Sequence, residues 1–240
     1  MRPQSRSIKL PSPAFTAAFL RAALTEDIGA GDVTTEATVR KGQSAEAVCI
    51  AKEKCVVAGL PVALRAFSLL DRRIKIVKQV KDGHRAKRGG TVFRIRGSAR
   101  AILSAERTAL NILGRLSGIA TLTAAFVAEV RGTRAVILDT RKTTPLMRAF
   151  EKYAVAAGGG QNHRFGLYDA VLIKENHIVA AGGIREALRS FHVVGRAFHR
   201  PPKLLNKTAR GVTRALQKPV EIEVRNLQEL KQALDSGAPW

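Results

Sequence analysis

Apolar positions recur along this chain at two periods, and the change from one to the other divides it. Phe15, Phe19 and Leu20 fall on one side of a helix over residues 13–24, which Pro13 can begin. Residues 25–35, Thr-Glu-Asp-Ile-Gly-Ala-Gly-Asp-Val-Thr-Thr, are rich in turn formers and predict a connection. Residues 45–52 and 56–58 read as strands, 60–70 as a helix, and 73–80 alternates with the two-residue period of a strand. Turn signals at Lys81-Asp-Gly-His84 and Arg88-Gly-Gly90 separate further short strands. Mixed strands and helices predict an α+β arrangement for this part.

From Ser98 the pattern changes. Ser98 can cap a helix whose stripe is Ala101, Leu103, Ala105, Leu110, Ile112 and Leu113, and Ser117-Gly118 is expected to interrupt it before a second run over 121–130. Strand-like segments at 135–138, 170–173 and 220–224 then precede helical segments at 145–157, 184–190 and 227–234. Repeated strand-then-helix units predict parallel strands, as in a barrel or a doubly wound sheet. The fold class is therefore α/β. The change of pattern sets an expected boundary between residues 1–104 and 105–240.

Composition narrows the partners. Aromatics make up 5% of the 240 residues, so the core must be built mainly from Ala, Val, Leu and Ile. Lys and Arg number 41 against 19 Asp and Glu, a net charge of +22, which favours anionic partners: nucleic acid, lipid headgroups or phosphorylated metabolites. A nucleic-acid surface would want aromatics among the basic residues for stacking; with two Tyr and one Trp, specific nucleic-acid binding is not expected. No uninterrupted apolar run approaches the roughly 18 residues of a membrane helix, so no membrane association is expected. The two cysteines, Cys49 and Cys55, have no metal-binding spacing, and residues 1–9 lack an apolar signal segment, so a reducing cytoplasm is the expected compartment.

Candidate chemistry gathers at the strand ends. Residues 135–138 run into Asp139-Thr-Arg-Lys-Thr-Thr144, and 170–173 into Lys174-Glu-Asn-His177, with Gly158-Gly-Gly-Gln-Asn-His-Arg164 between them. In α/β barrels the loops after strands carry the active site. Parallel neighbouring strands would bring Arg141, Lys142, His163, Arg164 and Lys174 to one mouth. Arg matches carboxylate or phosphate bidentately, and Lys serves phosphate as a point charge. The glycine triplet has neither dinucleotide-fingerprint nor P-loop spacing and reads as a helix terminus. His177 reads as a hydrogen-bonded structural residue. Glu221 and Glu223 share one face of a strand, where carboxylates call for cations, Mg²⁺ or sugar hydroxyls, or else for solvent at a sheet edge.

These segments also carry a resemblance. Asp139-Thr-Arg-Lys-Thr-Thr-Pro145, Glu151-Lys-Tyr-Ala-Val155, Gly158-Gly-Gly-Gln-Asn-His-Arg164 and Asp169-Ala-Val-Leu-Ile-Lys-Glu-Asn-His177 are similar to the quinolinate phosphoribosyltransferase family. Gly31-Asp-Val-Thr-Thr35, Ala58-Gly-Leu-Pro61, Ala105-Glu-Arg-Thr-Ala-Leu-Asn111 and Arg115-Leu-Ser-Gly-Ile-Ala-Thr121 support it. The resemblance implies an N-terminal α/β sandwich followed by an α/β barrel. It implies a homodimer whose active sites are shared between chains. The implied reaction joins quinolinate to phosphoribosyl pyrophosphate with Mg²⁺, giving nicotinate mononucleotide, pyrophosphate and CO₂. By the same resemblance, Arg141, His163 and Arg164 are expected to bind the quinolinate carboxylates with support from Thr140. Lys142 and Lys174 are expected to serve the phosphoribosyl donor and the reaction centre. Arg107 is the arginine lent across the dimer, and Glu223 the carboxylate near the ribose and Mg²⁺.

Two departures from the family pattern are noted. Residues 191–218 form a longer and more basic connection than the pattern has there. A further strand with a Leu-Asp-Asn motif and phosphate-holding glycine segments would follow near Trp240, so the barrel is expected to be C-terminally incomplete. A truncated non-catalytic homologue, a paralogue linked to molybdenum transport and a basic nucleic-acid-binding protein stand as alternatives to the transferase.

Overall fold

A computed structural model of the chain describes residues 9–198 and 220–238. Two compact units emerge, Met1–His163 and Arg164–Trp240. Residue 104 lies inside a helix of the first unit.

The first unit opens with α1 (Pro13–Ile28), capped by Ser12, and a short α2 (Val33–Thr38), capped by Asp32. The connection expected over 25–35 is thus mostly helix at both ends. The Asp32 carboxylate accepts from Thr35 N at 2.9 Å and from Ser104 Oγ at 2.9 Å, while Arg100 donates to Val39 O at 2.7 Å, so both ends of α2 are held by residues of a distant helix. Turn chemistry in the sequence carries no sign of that long-range support. Next come β1 (Ser44–Ile50), β2 (Cys55–Val56), α3 (Leu60–Leu70), β3 (Lys75–Gln79), β4 (Arg85–Ala86) and β5 (Thr91–Ser98). β5 lies between β1 and β3, antiparallel to both, and β2 pairs with β4. Phe93 and Ile95 on the inner face of β5 are buried with Phe67 of α3, whose ring meets Phe93 edge-on at 5.9 Å.

The centre of this unit is α4 (Ala99–Glu129), 31 residues without a break. The interruption expected at Ser117-Gly118 does not occur. A glycine within a helix costs about 1 kcal/mol, but here the same turn makes tertiary bonds. Ser117 Oγ accepts from Ala58 N at 3.1 Å, and Thr121 Oγ1 accepts from Val56 N at 2.8 Å. α4 is also long and apolar enough, by length and composition, to cross a membrane, although charged residues such as Arg107 and Arg115 interrupt its apolar run. Thirteen of its residues are buried, however, and its neighbours are α1, α3, β2 and a later helix, so its apolar face lines the unit's own core.

That later helix is α5 (Arg148–Ala157), and its seat explains the glycine triplet. A Cβ at Gly158 would stand 2.4 Å from Ala120 O and 2.8 Å from Thr123 Cβ, both on α4. The triplet therefore lets the end of α5 touch α4 directly. At the other end, Phe150 is fully buried against the rings of Phe15 and Phe19, with centroids 5.8 and 4.9 Å away. Tyr153 OH donates to Asp82 Oδ2 at 2.7 Å; the same carboxylate accepts from Gly59 N and Leu60 N at the start of α3.

The second unit contains β6 (Leu172–Ile173), α6 (Glu175–Ala181), α7 (Ile184–Phe198), β7 (Glu221–Ile222) and α8 (Leu227–Asp235). β6 and β7 pair in parallel, as the alternating pattern predicts. Ile173, Ile184, Ala187, Leu188, Val220 and Ala233 form its core. Of the basic 191–218 connection, residues 191–198 extend α7 and the remainder lies outside the described residues.

Candidate active site

In the first unit, the strand expected at 135–138 reduces to one parallel bridge, Leu138 with Gln161. Its backbone bonds are Gln161 N to Ile137 O at 2.9 Å and Asp139 N to Gln161 O at 3.1 Å. This short pairing sets Asp139 beside Asn162 and His163. The loop that follows is a tight turn: Thr140 Oγ1 accepts from Lys142 N at 3.0 Å, and Arg141 O accepts from Thr143 N at 3.0 Å. Thr140 and Lys142 are exposed and Arg141 is half-buried. Arg141 Nε is buried with no hydrogen-bond partner among the described residues.

Helix α5 holds this loop from below. Glu151 accepts from Arg115 Nη2 at 2.6 Å and Nε at 2.9 Å, and from Thr144 N at 3.3 Å. Arg115 also donates to Thr144 Oγ1. Lys152, 1% exposed, sends Nζ to Asp139 Oδ1 at 2.5 Å and to His163 O at 3.2 Å. Both backbone polar groups of His163 are thereby engaged, since its N–H donates to Asp139 Oδ1 at 2.9 Å. Arg107 is exposed on α4 and makes no hydrogen bond or ion pair with the other candidate residues among the described residues.

In the second unit, Arg164 is 8% exposed. Its Nη1 donates to Ala170 O at 3.3 Å, and its Nε is buried without a partner among the described residues. The Asp169 carboxylate accepts from Phe165 N and Gly166 N, each at 2.8 Å, and so shapes the loop between them. Parallel pairing of β6 with β7 sets Glu223 N on Ile173 O at 2.9 Å, which brings Glu223 Oε1 to 3.1 Å from Lys174 Nζ. Both side chains are about half exposed, so this ion pair is screened and either group can exchange it for a ligand.

The segment Lys174-Glu-Asn-His177 is not an open loop. It is the start of α6, with His177 Nδ1 accepting from Lys174 N at 2.9 Å. His177 is thus a helix-capping residue, as its structural reading expects. Glu221 and Glu223 do share an exposed face. Beside them Arg225 bridges Glu175 at 3.2 Å and Glu229 at 2.7 Å. Its hydrogen bonds hold the Glu229 carboxyl below the ordinary carboxylate range.

The first unit thus assembles Thr140, Arg141, Lys142 and His163 around the Leu138–Gln161 bridge, and the second joins Lys174 to Glu223. Asp139, Lys152, Glu151 and Arg115 carry no role that their local sequence reveals. A Glu-Lys pair inside a helix ordinarily marks a solvated face; only the packing of α5 shows both to be buried.

Residues 32–117 match the family model for the quinolinate phosphoribosyl transferase N-terminal domain, and 119–199 the model for its C-terminal domain. The chain belongs to the quinolinate phosphoribosyltransferase family. It is 40% identical over 213 residues to a probable nicotinate-nucleotide pyrophosphorylase (carboxylating) of Bacillus subtilis, covering 89% of this chain and 67% of that protein. It is 41% identical over 220 residues to a nicotinate-nucleotide pyrophosphorylase (carboxylating) of Mycobacterium leprae, covering 90% and 70%. A crystal structure of NadC from Streptococcus pyogenes superposes with a TM-score of 0.81 at 40% identity, covering 96% of this chain and 75% of that one. The α/β fold with the family's N- and C-terminal domains follows, in agreement with the sequence.

Proposed function

We propose that this family member catalyses phosphoribosyl transfer from phosphoribosyl pyrophosphate to quinolinate with decarboxylation, in pyridine-nucleotide synthesis. The observation that carries the reading is that two guanidinium Nε atoms, of Arg141 and of Arg164, are buried with no partner among the described residues. Buried donors in folded proteins are almost always satisfied, and an unsatisfied one costs about 1–3 kcal/mol. A carboxylate supplies the acceptor that each of them lacks. Arg141 and Arg164, with His163 and Thr140, bind the carboxylates of quinolinate. Lys142 and Lys174 neutralise the donor's phosphates.

The reaction needs no protein nucleophile. The pyridine nitrogen forms a bond to the anomeric carbon of ribose as the bond to pyrophosphate breaks, and the leaving group takes that electron pair. Positive charge grows on the sugar in the transition state, and Glu223 offsets it. The ribosylated nitrogen is cationic, so it stabilises the electron pair left on the adjacent ring carbon when CO₂ departs. A proton then replaces the lost carboxylate.

Mg²⁺ is the metal we assign. Among the described residues no group of three His, Cys, Asp or Glu could cage an ion. The exposed Glu223 nevertheless suits an ion that keeps its waters and arrives with the substrate's phosphates. Bound there, Mg²⁺ would stabilise charge on the departing pyrophosphate.

We further propose a homodimer in which Arg107 of one protomer serves its partner's substrate, in line with its exposure on α4. A cytoplasmic setting suits the two free thiols, Cys49 and Cys55. Incubating the purified chain with quinolinate, phosphoribosyl pyrophosphate and Mg²⁺ should yield nicotinate mononucleotide and CO₂ in equal amounts. A folded chain that yields neither overturns the assignment.

A further inference from the structure

We infer that Asp139 and Lys152 are positioning residues for substrate recognition, acting through the His163 backbone and the 140–142 turn. Their side chains are 7% and 2% exposed and meet at 2.5 Å. The pair joins three segments far apart in sequence. Asp139 immediately precedes Thr140, Arg141 and Lys142. Lys152 is fixed in α5, itself packed on α4. Asn162 and His163 come from the glycine-rich segment.

One carboxylate receives donors from each of the other segments: Lys152 Nζ and His163 N on Oδ1, and Asn162 Nδ2 on Oδ2. Lys152 Nζ then returns to His163 O at 3.2 Å, and Lys152 O accepts from Asn162 Nδ2 at 2.9 Å. The result is a closed circuit in which neither charge is unpaired and the peptide around His163 is held from both sides.

Desolvating two charges is expensive, and a buried ion pair is often no more stabilising than apolar residues of the same volume. What the circuit supplies is geometry. Charge-assisted hydrogen bonds are short and directional, and these end on the backbone of His163 and on the side chain of Asp139, two residues before Arg141. Side chains that grip a small rigid ligand must be held to within about half an ångström, which requires support of this kind from behind. The two residues touch no substrate in this scheme. They fix where the binding groups stand.

The inference rests on the quinolinate reading, and its test separates the two. Asp139→Asn alone strands a buried ammonium and can prevent folding. The double variant Asp139→Asn with Lys152→Met removes both charges, and Lys152→Met alone is the second variant should the double one not fold. Two quantities are measured on the full chain: the dissociation constant for quinolinate by calorimetry without donor, and amide hydrogen exchange of the peptide containing His163.

A folded variant should bind quinolinate at least tenfold more weakly, with His163 exchange accelerated by a similar factor. A purely structural pair would lower the melting temperature and leave both readings of the folded protein unchanged. Binding within threefold of wild type, or unchanged exchange, overturns the inference. Should the wild-type chain bind no quinolinate, the substrate reading falls, and exchange at His163 alone decides the positioning role.

Discussion

Arg164→Lys keeps a positive charge in the second unit and removes the planar fork of donors. The wild-type side chain is 8% exposed, so its interactions are little screened by water. Its Nε has no partner among the described residues, and the bond from Nη1 to Ala170 O is long, at 3.3 Å. The fork is thus used weakly by the protein and is available for a carboxylate. Lysine retains the Coulombic attraction but forfeits at least one charge-assisted hydrogen bond, about 1.5–3 kcal/mol. At about 1.4 kcal/mol per decade, quinolinate binding should weaken roughly 10- to 150-fold. Calorimetric titration without donor reads this directly, because no chemistry follows binding. The ligand-free protein should barely notice the change. Loss of a long bond worth about 1 kcal/mol or less corresponds to about 2–4 °C in melting temperature for a chain of this size. A dissociation constant within twofold of wild type refutes the reasoning. So does a fall of ten degrees or more in the ligand-free melting temperature, since Arg164 would then be a structural residue.

Gly158→Ala should lower the melting temperature by roughly 2–12 °C, because overpacking of a tight contact costs about 1–3 kcal/mol and the new Cβ would press on Ala120 O at 2.4 Å; an unchanged thermal melt would show that α5 can shift freely. Asp32 is held below its ordinary value of 3.8 chiefly by hydrogen bonds from Thr35, then by Ser104. A depressed carboxyl contributes stability above its unfolded value and loses it as pH falls through the folded one. The melting-temperature gap between wild type and Asp32→Asn should therefore be constant near neutrality and shrink below about pH 4; a gap independent of pH contradicts this. Mixing Arg107→Ala protomers with Lys174→Ala protomers, each inactive alone, should restore part of the turnover if Arg107 acts across a dimer, whereas mixtures as inactive as either parent place it in its own chain's site. Chelating Mg²⁺ should abolish product formation while leaving quinolinate binding within twofold, as measured by calorimetry.

Residues 60–70 and the cap at Ser98 were legible because each is a local matter. The amphipathic stripe of α3 and the hydroxyl of Ser98 act within one or two turns of chain. The continuity of α4 was not legible. Ser117-Gly118 reads as a break, and the hydrogen bonds that override it come from Val56 and Ala58, about sixty residues away. The bridge at Leu138 likewise depends on Gln161, and the helical start at Glu175 on how His177 turns back to Lys174.

The sequence by itself determined the chemistry available: which residues carry forked cations, where the lysines stand relative to strand ends, and the family to which those motifs belong. Residue type and spacing suffice for this, because charge and donor geometry are properties of the side chains themselves. Only the tertiary structure decided which of the charges are buried and against what. Glu151 and Lys152 look like a solvated pair, yet the seating of α5 on α4 withdraws both from water and forces them to find Arg115 and Asp139. Burial within each unit leaves Arg141 Nε and Arg164 Nε without a partner among the described residues. Burial depends on contacts between distant segments, and it changes a surface charge into a group that must be paired, by the protein or by its ligand.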